Sequence, residues 1–104
     1  MPDVKKIVKS LNDIGKATYK GSASSRPTLH QQNFDRLQAS AKQVAAILSV
    51  NPNPNRDSRE NIDSQFAAMK KSVDVYCTKT AGTEDVLSAW NKAYAEWQLF
   101  VGEQ

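Results

Sequence analysis

The sequence predicts an all-α fold, an antiparallel up-down four-helix bundle, and three observations support it. First, apolar residues between Thr83 and Val101 recur at three- and four-residue steps, as on one face of a helix. Second, three earlier segments show the same spacing. Third, the links between them are short and polar, and no segment alternates as a strand does. The apolar residues of the last segment are Val86, Leu87, Trp90, Ala93, Tyr94, Trp97, Phe100 and Val101.

The composition is that of an ordinary globular domain. The chain has 104 residues, of which 39% are hydrophobic and 24% charged, so we expect one domain over residues 1–104 with a substantial core. No apolar run approaches the roughly 18–20 residues that cross a bilayer. Because the N-terminus lacks a signal-peptide core, we expect a chain that either stays where it is made or is a mature form.

The first helix is predicted over residues 3–19, with lysines between its apolar positions. Gly15 weakens it by roughly 1 kcal/mol relative to alanine, and the segment 21–27 ends it. No bulky aromatic residue precedes Tyr19, so a bundle helix with a solvated lysine face is favoured over a membrane-surface helix. The predicted inward residues are Val4, Ile7, Val8, Leu11 and Ile14.

The second helix is predicted over residues 28–50. Thr28 and Gln31 fit a capping box, and Pro52 and Pro54 prevent the helix from continuing beyond Val50. Small residues beside the apolar face would let a neighbouring helix approach closely. The apolar positions are Phe34, Leu37, Ala41, Val44, Ile47 and Leu48, and the small ones are Ala39, Ala45 and Ala46.

The third and fourth helices are predicted over residues 57–78 and 83–101. The third is expected to begin at Asp57 or Ser58, and its apolar steps of four, three, four and three are typical of bundles. Gly82 breaks the chain, and Thr83 is expected to cap the fourth helix. The predicted inward residues of the third helix are Ile62, Phe66, Met69, Val73, Tyr76 and Cys77.

Positive charge is concentrated in the first quarter of the chain. The net charge is +3, and residues 1–26 carry six basic side chains against Asp3 and Asp13. We therefore expect electrostatic docking on an acidic partner through this region. The predicted partner-binding residues are Lys5, Lys6, Lys9, Lys16, Lys20 and Arg26.

Candidate catalytic and haem residues are few. Cys77 and His30 would be the only Cys/His nucleophile pair, but no third orienting group is evident, and a cysteine on an apolar face is usually inert. A haem held by His30 and Met69 is disfavoured, because Met69 lies among packing residues. We therefore expect neither catalysis nor a cofactor.

Metal, phosphate and nucleic-acid sites are not expected either. A carboxylate-bridged metal site needs inward glutamates in a Glu-x-x-His pattern, which the chain lacks, and its four glycines form no phosphate loop. The basic first quarter has one tyrosine and no stacking platform for bases. A free-standing regulatory or nucleic-acid-binding bundle remains the alternative interpretation. The glutamates considered are Glu60, Glu84 and Glu96.

The second half of the chain resembles a known family. Residues 56–101 combine an Arg/Asp-rich helix start, Phe66, the run Val73 to Tyr76, a short turn and the closing run Ala93 to Val101. This pattern is similar to the last two helices of the PsbQ family, four-helix extrinsic subunits on the lumenal face of photosystem II. The proline-rich N-terminal arm of the plant members is missing, which favours an algal or cyanobacterial type.

The resemblance implies a non-enzymatic subunit that supports the oxygen-evolving complex. Such a protein docks on the lumenal surface of photosystem II and on other extrinsic subunits, helps retain calcium and chloride, and binds no metal itself. It implies a location in the thylakoid lumen, peripheral on the membrane, and no nucleic-acid partner. The residues themselves predict a bundle with a basic surface, which agrees with that role.

Overall fold

Four α-helices make up the computed structural model, which describes residues 4–21 and 28–102. They are α1 (Val4–Lys16), α2 (Leu29–Val50), α3 (Arg56–Lys79) and α4 (Glu84–Gly102). The described residues contain no strand. The all-α prediction is therefore confirmed, with four helices as expected.

The helices pack as a ring around one core. α1 contacts α2 and α4, and α3 contacts α2 along much of its length but approaches α4 less closely. Among the four described helices, the diagonal pairs α1 with α3 and α2 with α4 do not come into close backbone contact. The resulting body measures 45 × 22 × 19 Å along its principal axes.

Most of the predicted apolar faces lie in the core. The buried hydrophobic residues are Ile7, Leu11, Ile14, Phe34, Leu37, Ala41, Val44, Ala45, Leu48, Ile62, Phe66, Met69, Val73, Tyr76, Val86, Trp90, Ala93, Trp97 and Phe100. The prediction was wrong for Leu87, which is 37% exposed. Val86 takes the buried position, and the next residue lies about 100° around the helix. Half-buried positions are Val4, Val8, Ile47, Cys77, Tyr94 and Val101, while Ala39 and Ala46 are exposed.

α1 ends at Lys16, three residues before the predicted end. The Ala17 amide donates to the Ile14 carbonyl over 3.1 Å, which tightens the last turn. The Gln38 side-chain amide of α2 donates to the carbonyls of Ile14, Gly15 and Ala17 over 3.2, 3.3 and 2.8 Å. Carbonyls at a helix end lack their usual partners within the helix, so Gln38 caps α1 from the neighbouring helix and shares the Ile14 carbonyl with the Ala17 amide.

The other helix ends have local caps. The Thr28 hydroxyl accepts from the Gln31 backbone amide over 3.2 Å, which confirms the threonine half of the predicted capping box. The Asn55 side chain accepts from the Ser58 amide over 2.9 Å, so α3 begins at Arg56, one residue earlier than predicted. Gly82 adopts φ 75°, a conformation that glycine takes without the steric cost that other residues incur.

Thr83 lies at the start of α4, although its hydroxyl does not act as expected. Its carbonyl accepts from the Leu87 amide over 3.1 Å, which places it at the N-cap position. The hydroxyl was expected to accept a first-turn amide, and it donates to the Thr80 carbonyl over 3.4 Å. Thr83 therefore stabilises the turn between α3 and α4.

An aromatic cluster closes the bundle beyond the end of α1. The ring of Tyr19 lies 6.1 Å from His30, 5.5 Å from Phe34 and 5.9 Å from Tyr76, measured between centroids. The Tyr76 hydroxyl accepts from the Lys20 amide over 3.0 Å. The segment after α1 is thus held against α2 and α3 by ring packing and one hydrogen bond.

Replacing Phe66 by alanine should lower the free energy of unfolding by about 3–5 kcal/mol, because the ring is fully buried between α3 and α4. Urea unfolding followed by circular dichroism measures this. Leu99→Ala is the matched control, since that side chain is 57% exposed and its loss should cost less than about 0.5 kcal/mol. Equal losses in the two variants would contradict this assignment of the core.

Ionisation of the Tyr76 phenol should lower the stability of the fold at alkaline pH. Burial raises the pKa of the Tyr76 phenol above its usual value of 10.0, although the bond from the Lys20 amide opposes the shift. Because the pKa is higher in the folded chain than in the unfolded one, this stabilisation is complete below pH 10 and is lost as the pH rises through the folded pKa.

Tyr76→Phe provides the comparison. At pH 7 the variant should be less stable by about 1 kcal/mol, the usual value of one hydrogen bond. As the pH rises above 10 the gap to wild type should narrow, because the phenol that ionises in this range is present only in wild type. Parallel stability curves for the two proteins over this range would disprove the role of Tyr76.

Candidate functional site: a lysine-lined cleft between α1 and α4

The lysines of α1 lie on the face opposite the core. Lys5, Lys9 and Lys16 are separated by four and seven residues, so they share one side of the helix, while Ile7 and Ile14 are fully buried on the other. All three lysines are exposed, as is the neighbouring Lys6. We call Lys5, Lys6, Lys9 and Lys16 the lysine face of α1.

A cleft of about 580 Å³ runs between α1 and α4. It joins one edge of the lysine face of α1 to polar residues of α4, and its floor contains Val86 and Ala89. Val86 is buried and Ala89 half-buried, so the apolar floor is narrow. The polar and charged lining consists of Lys6, Lys9, Ser10, Asp13, Asp85, Ser88, Lys92 and Glu96.

Both signs of charge line the cleft. Lys6, Lys9 and Lys92 are balanced in number by Asp13, Asp85 and Glu96. Among the described residues, no carboxylate forms an ion pair with any of these three lysines. The lining can therefore form ion pairs with a partner that carries carboxylates beside the lysines.

The structure brings together only part of the predicted partner-binding set. Lys6 and Lys9 line the cleft, whereas Lys5, Lys16 and Lys20 are exposed outside it. Lys20 follows α1, and its backbone amide is bonded to Tyr76. Arg26 lies outside the described residues.

Lys92 belongs to the cleft and was missed from the sequence. It is exposed and lies beside Ala93, a residue of the buried face of α4. Summing charge over segments of the sequence does not identify Lys92, because this residue is far in sequence from the basic first quarter. Placing α4 next to α1 in the predicted ring of helices would have pointed to it.

The candidate catalytic and haem residues lie in packing positions. His30 is half-buried and stacks on Tyr19, while Met69 is fully buried in the core. Burial raises the pKa of the Cys77 thiol, although a hydrogen bond with the Thr83 side chain opposes the shift. The thiol also donates to the Thr83 carbonyl at 3.9 Å, a contact that favours its protonated form. A raised pKa lowers the thiolate fraction and hence the nucleophilicity of Cys77.

The parts of the chain that the structure describes contain no group of three or more His, Cys, Asp or Glu side chains with the geometry to hold a metal ion. None of the helices within residues 4–21 and 28–102 is long and apolar enough to cross a membrane.

Comparison with known proteins assigns no relative. No protein-family model, curated protein or solved structure matches this chain. The resemblance to the PsbQ family therefore stays a hypothesis drawn from the residues of the second half.

Proposed function

We propose that this protein is a non-enzymatic docking subunit of a larger complex and that it binds an acidic surface through the lysine face of α1. The observation that carries the proposal is the row of exposed lysines along one side of α1, with Lys92 of α4 across the cleft. Lys6, Lys9 and Lys92 form no ion pair within the described chain. Their charge is available to a partner and accelerates encounter with an acidic surface.

The carboxylates of the cleft give the docking a preferred orientation. A uniformly acidic partner would meet repulsion at Asp13 and Asp85, so the matching surface places carboxylates opposite the lysines and donors opposite the acids. Val86 and Ala89 between these charges offer a small apolar contact. Charge would then control the association rate, and the fit within the cleft would control specificity.

We further propose that the larger complex is photosystem II and that the chain docks on its lumenal face as a PsbQ-like extrinsic subunit, peripheral on the thylakoid membrane. The support is the residue pattern of 56–101, which covers most of α3 and α4. In this proposal the chain needs no catalytic residue, cofactor or metal of its own, because its role is to support the oxygen-evolving complex.

The proposed arrangement of the bundle is antiparallel and up-down. Along α3, Asp63 lies beside Trp97 and Cys77 beside Thr83, so positions on α4 fall as those on α3 rise. The links 51–55 and 80–83 are also too short to return along a helix, because an extended residue spans at most about 3.6 Å. Both observations support alternating directions for α2, α3 and α4.

The docking prediction is tested by reversing charge on the lysine face of α1. Lys5→Glu, Lys6→Glu and Lys9→Glu together should slow association with photosystem II membranes stripped of extrinsic proteins and should flatten its salt dependence. The reason is that attraction between exposed charges is screened within about 8–10 Å near physiological salt. Binding is measured across a salt series, with helicity checked by circular dichroism.

A matched control reverses three exposed basic residues of α3, the helix diagonal to α1, so that net charge changes equally; they are Arg56, Lys70 and Lys71. This control should keep most of the wild-type association rate. Equal binding by all three folded proteins would remove the lysine face from the mechanism. Absence of saturable binding by wild type would remove the photosystem assignment.

A further inference from the structure

A second cleft, of about 470 Å³, lies between α3 and α4. Its walls include three aromatic rings, from Phe66, Trp90 and Tyr94, together with Ala67. Trp90 and Tyr94 stack with centroids 5.0 Å apart, and Phe66 lies 5.6 Å from Tyr94. Such walls suit a flat, apolar ligand group, because offset stacking between aromatic rings is energetically favourable.

The Trp90 indole N–H is a buried donor without an acceptor. Trp90 is only 5% exposed, and its Nε1 atom has no hydrogen-bond partner within residues 4–21 and 28–102. The other indole of α4 is satisfied, since Trp97 Nε1 donates to Asp63 Oδ1 over 2.5 Å. A buried donor left unpaired is unfavourable, and nearly all such groups in proteins have a partner. This donor is therefore available to an acceptor carried by a ligand.

The charged groups around the cleft indicate the charge of that ligand. Asp63 is engaged by Trp97, and Asp74 pairs with Lys70 over 3.7 Å. Lys71 also lines the cleft, is exposed, and forms no ion pair with a described carboxylate. Lys71 and the Trp90 N–H both lack a partner among the described residues, and both are donors. A ligand that complements them carries acceptors and a negative charge.

We propose that the cleft between α3 and α4 binds a small aromatic carboxylate, with its ring stacked among Phe66, Trp90 and Tyr94 and its carboxylate accepting from Trp90 Nε1–H and Lys71. Tyr94 is the half-exposed ring of the three, so it is the one that turns aside to admit the ligand. The site lies on a different pair of helices from the lysine-lined cleft, and its ligand binding does not depend on docking.

The test is a titration of the ¹⁵N-labelled protein with 2-naphthoate, followed through the two indole N–H resonances. Trp90→Phe and Trp97→Phe assign the two resonances. The Trp90 resonance should shift saturably, whereas the Trp97 resonance, already bonded to Asp63, should move much less. The neutral analogue 2-naphthalenemethanol should bind at least about tenfold more weakly, because it lacks the charge that strengthens the hydrogen bonds.

Lys71→Ala tests the anion contact without disturbing the core, since this side chain is exposed. Its dissociation constant for 2-naphthoate should rise about tenfold, the usual effect of losing one charged hydrogen bond. Lys92→Ala, an exposed lysine of the other cleft, is the matched control and should leave the constant unchanged. No saturable shift at Trp90, equal binding of the neutral analogue, or equal behaviour of the two lysine variants would each overturn the proposal.

Discussion

The packing of Trp97 against α3 controls the spacing of the whole second half of the bundle. Its indole stacks on Phe66 at 6.1 Å and donates to Asp63, so both the distance and the register of α3 and α4 depend on one side chain. Indole and phenyl rings are bulky, and they hold these two backbones further apart than those of the other neighbouring pairs. The aromatic cleft is the space left beside them.

On the opposite side of the bundle, α1 and α2 pack closely through small residues and through a lysine side chain that lies across both helices. Ala41 and Ala45 are buried on α2, which allows close backbone approach, and Gly15 of α1 lies against the aliphatic part of Lys42. α1 has 13 residues and α3 has 24, so at about 1.5 Å per residue α1 covers little more than half the length of α3. The Tyr19 cluster fills the space that this short helix leaves.

Sequence periodicity predicted the helices and most of the core, because burial of one helix face repeats locally. It failed where the determining contact is distant in sequence. Gln38 ends α1 by reaching the carbonyls of Ile14, Gly15 and Ala17, a contact between residues more than 20 positions apart. Lys92 was missed for the same reason, since its relation to the lysine face exists only after α1 and α4 pack together.

α4 separates the two clefts, and its sequence explains how one helix serves both. Trp90, Ala93 and Trp97 form its buried stripe, Lys92 and Glu96 lie on the side toward α1, and Tyr94 lies on the side toward α3. Charged side chains line the side toward α1, so their contribution to binding weakens as the salt concentration rises. An aromatic ring lines the side toward α3, where stacking is insensitive to salt. Raising the salt concentration should therefore weaken the contribution of Lys92 and Glu96 to binding more than that of the Tyr94 ring.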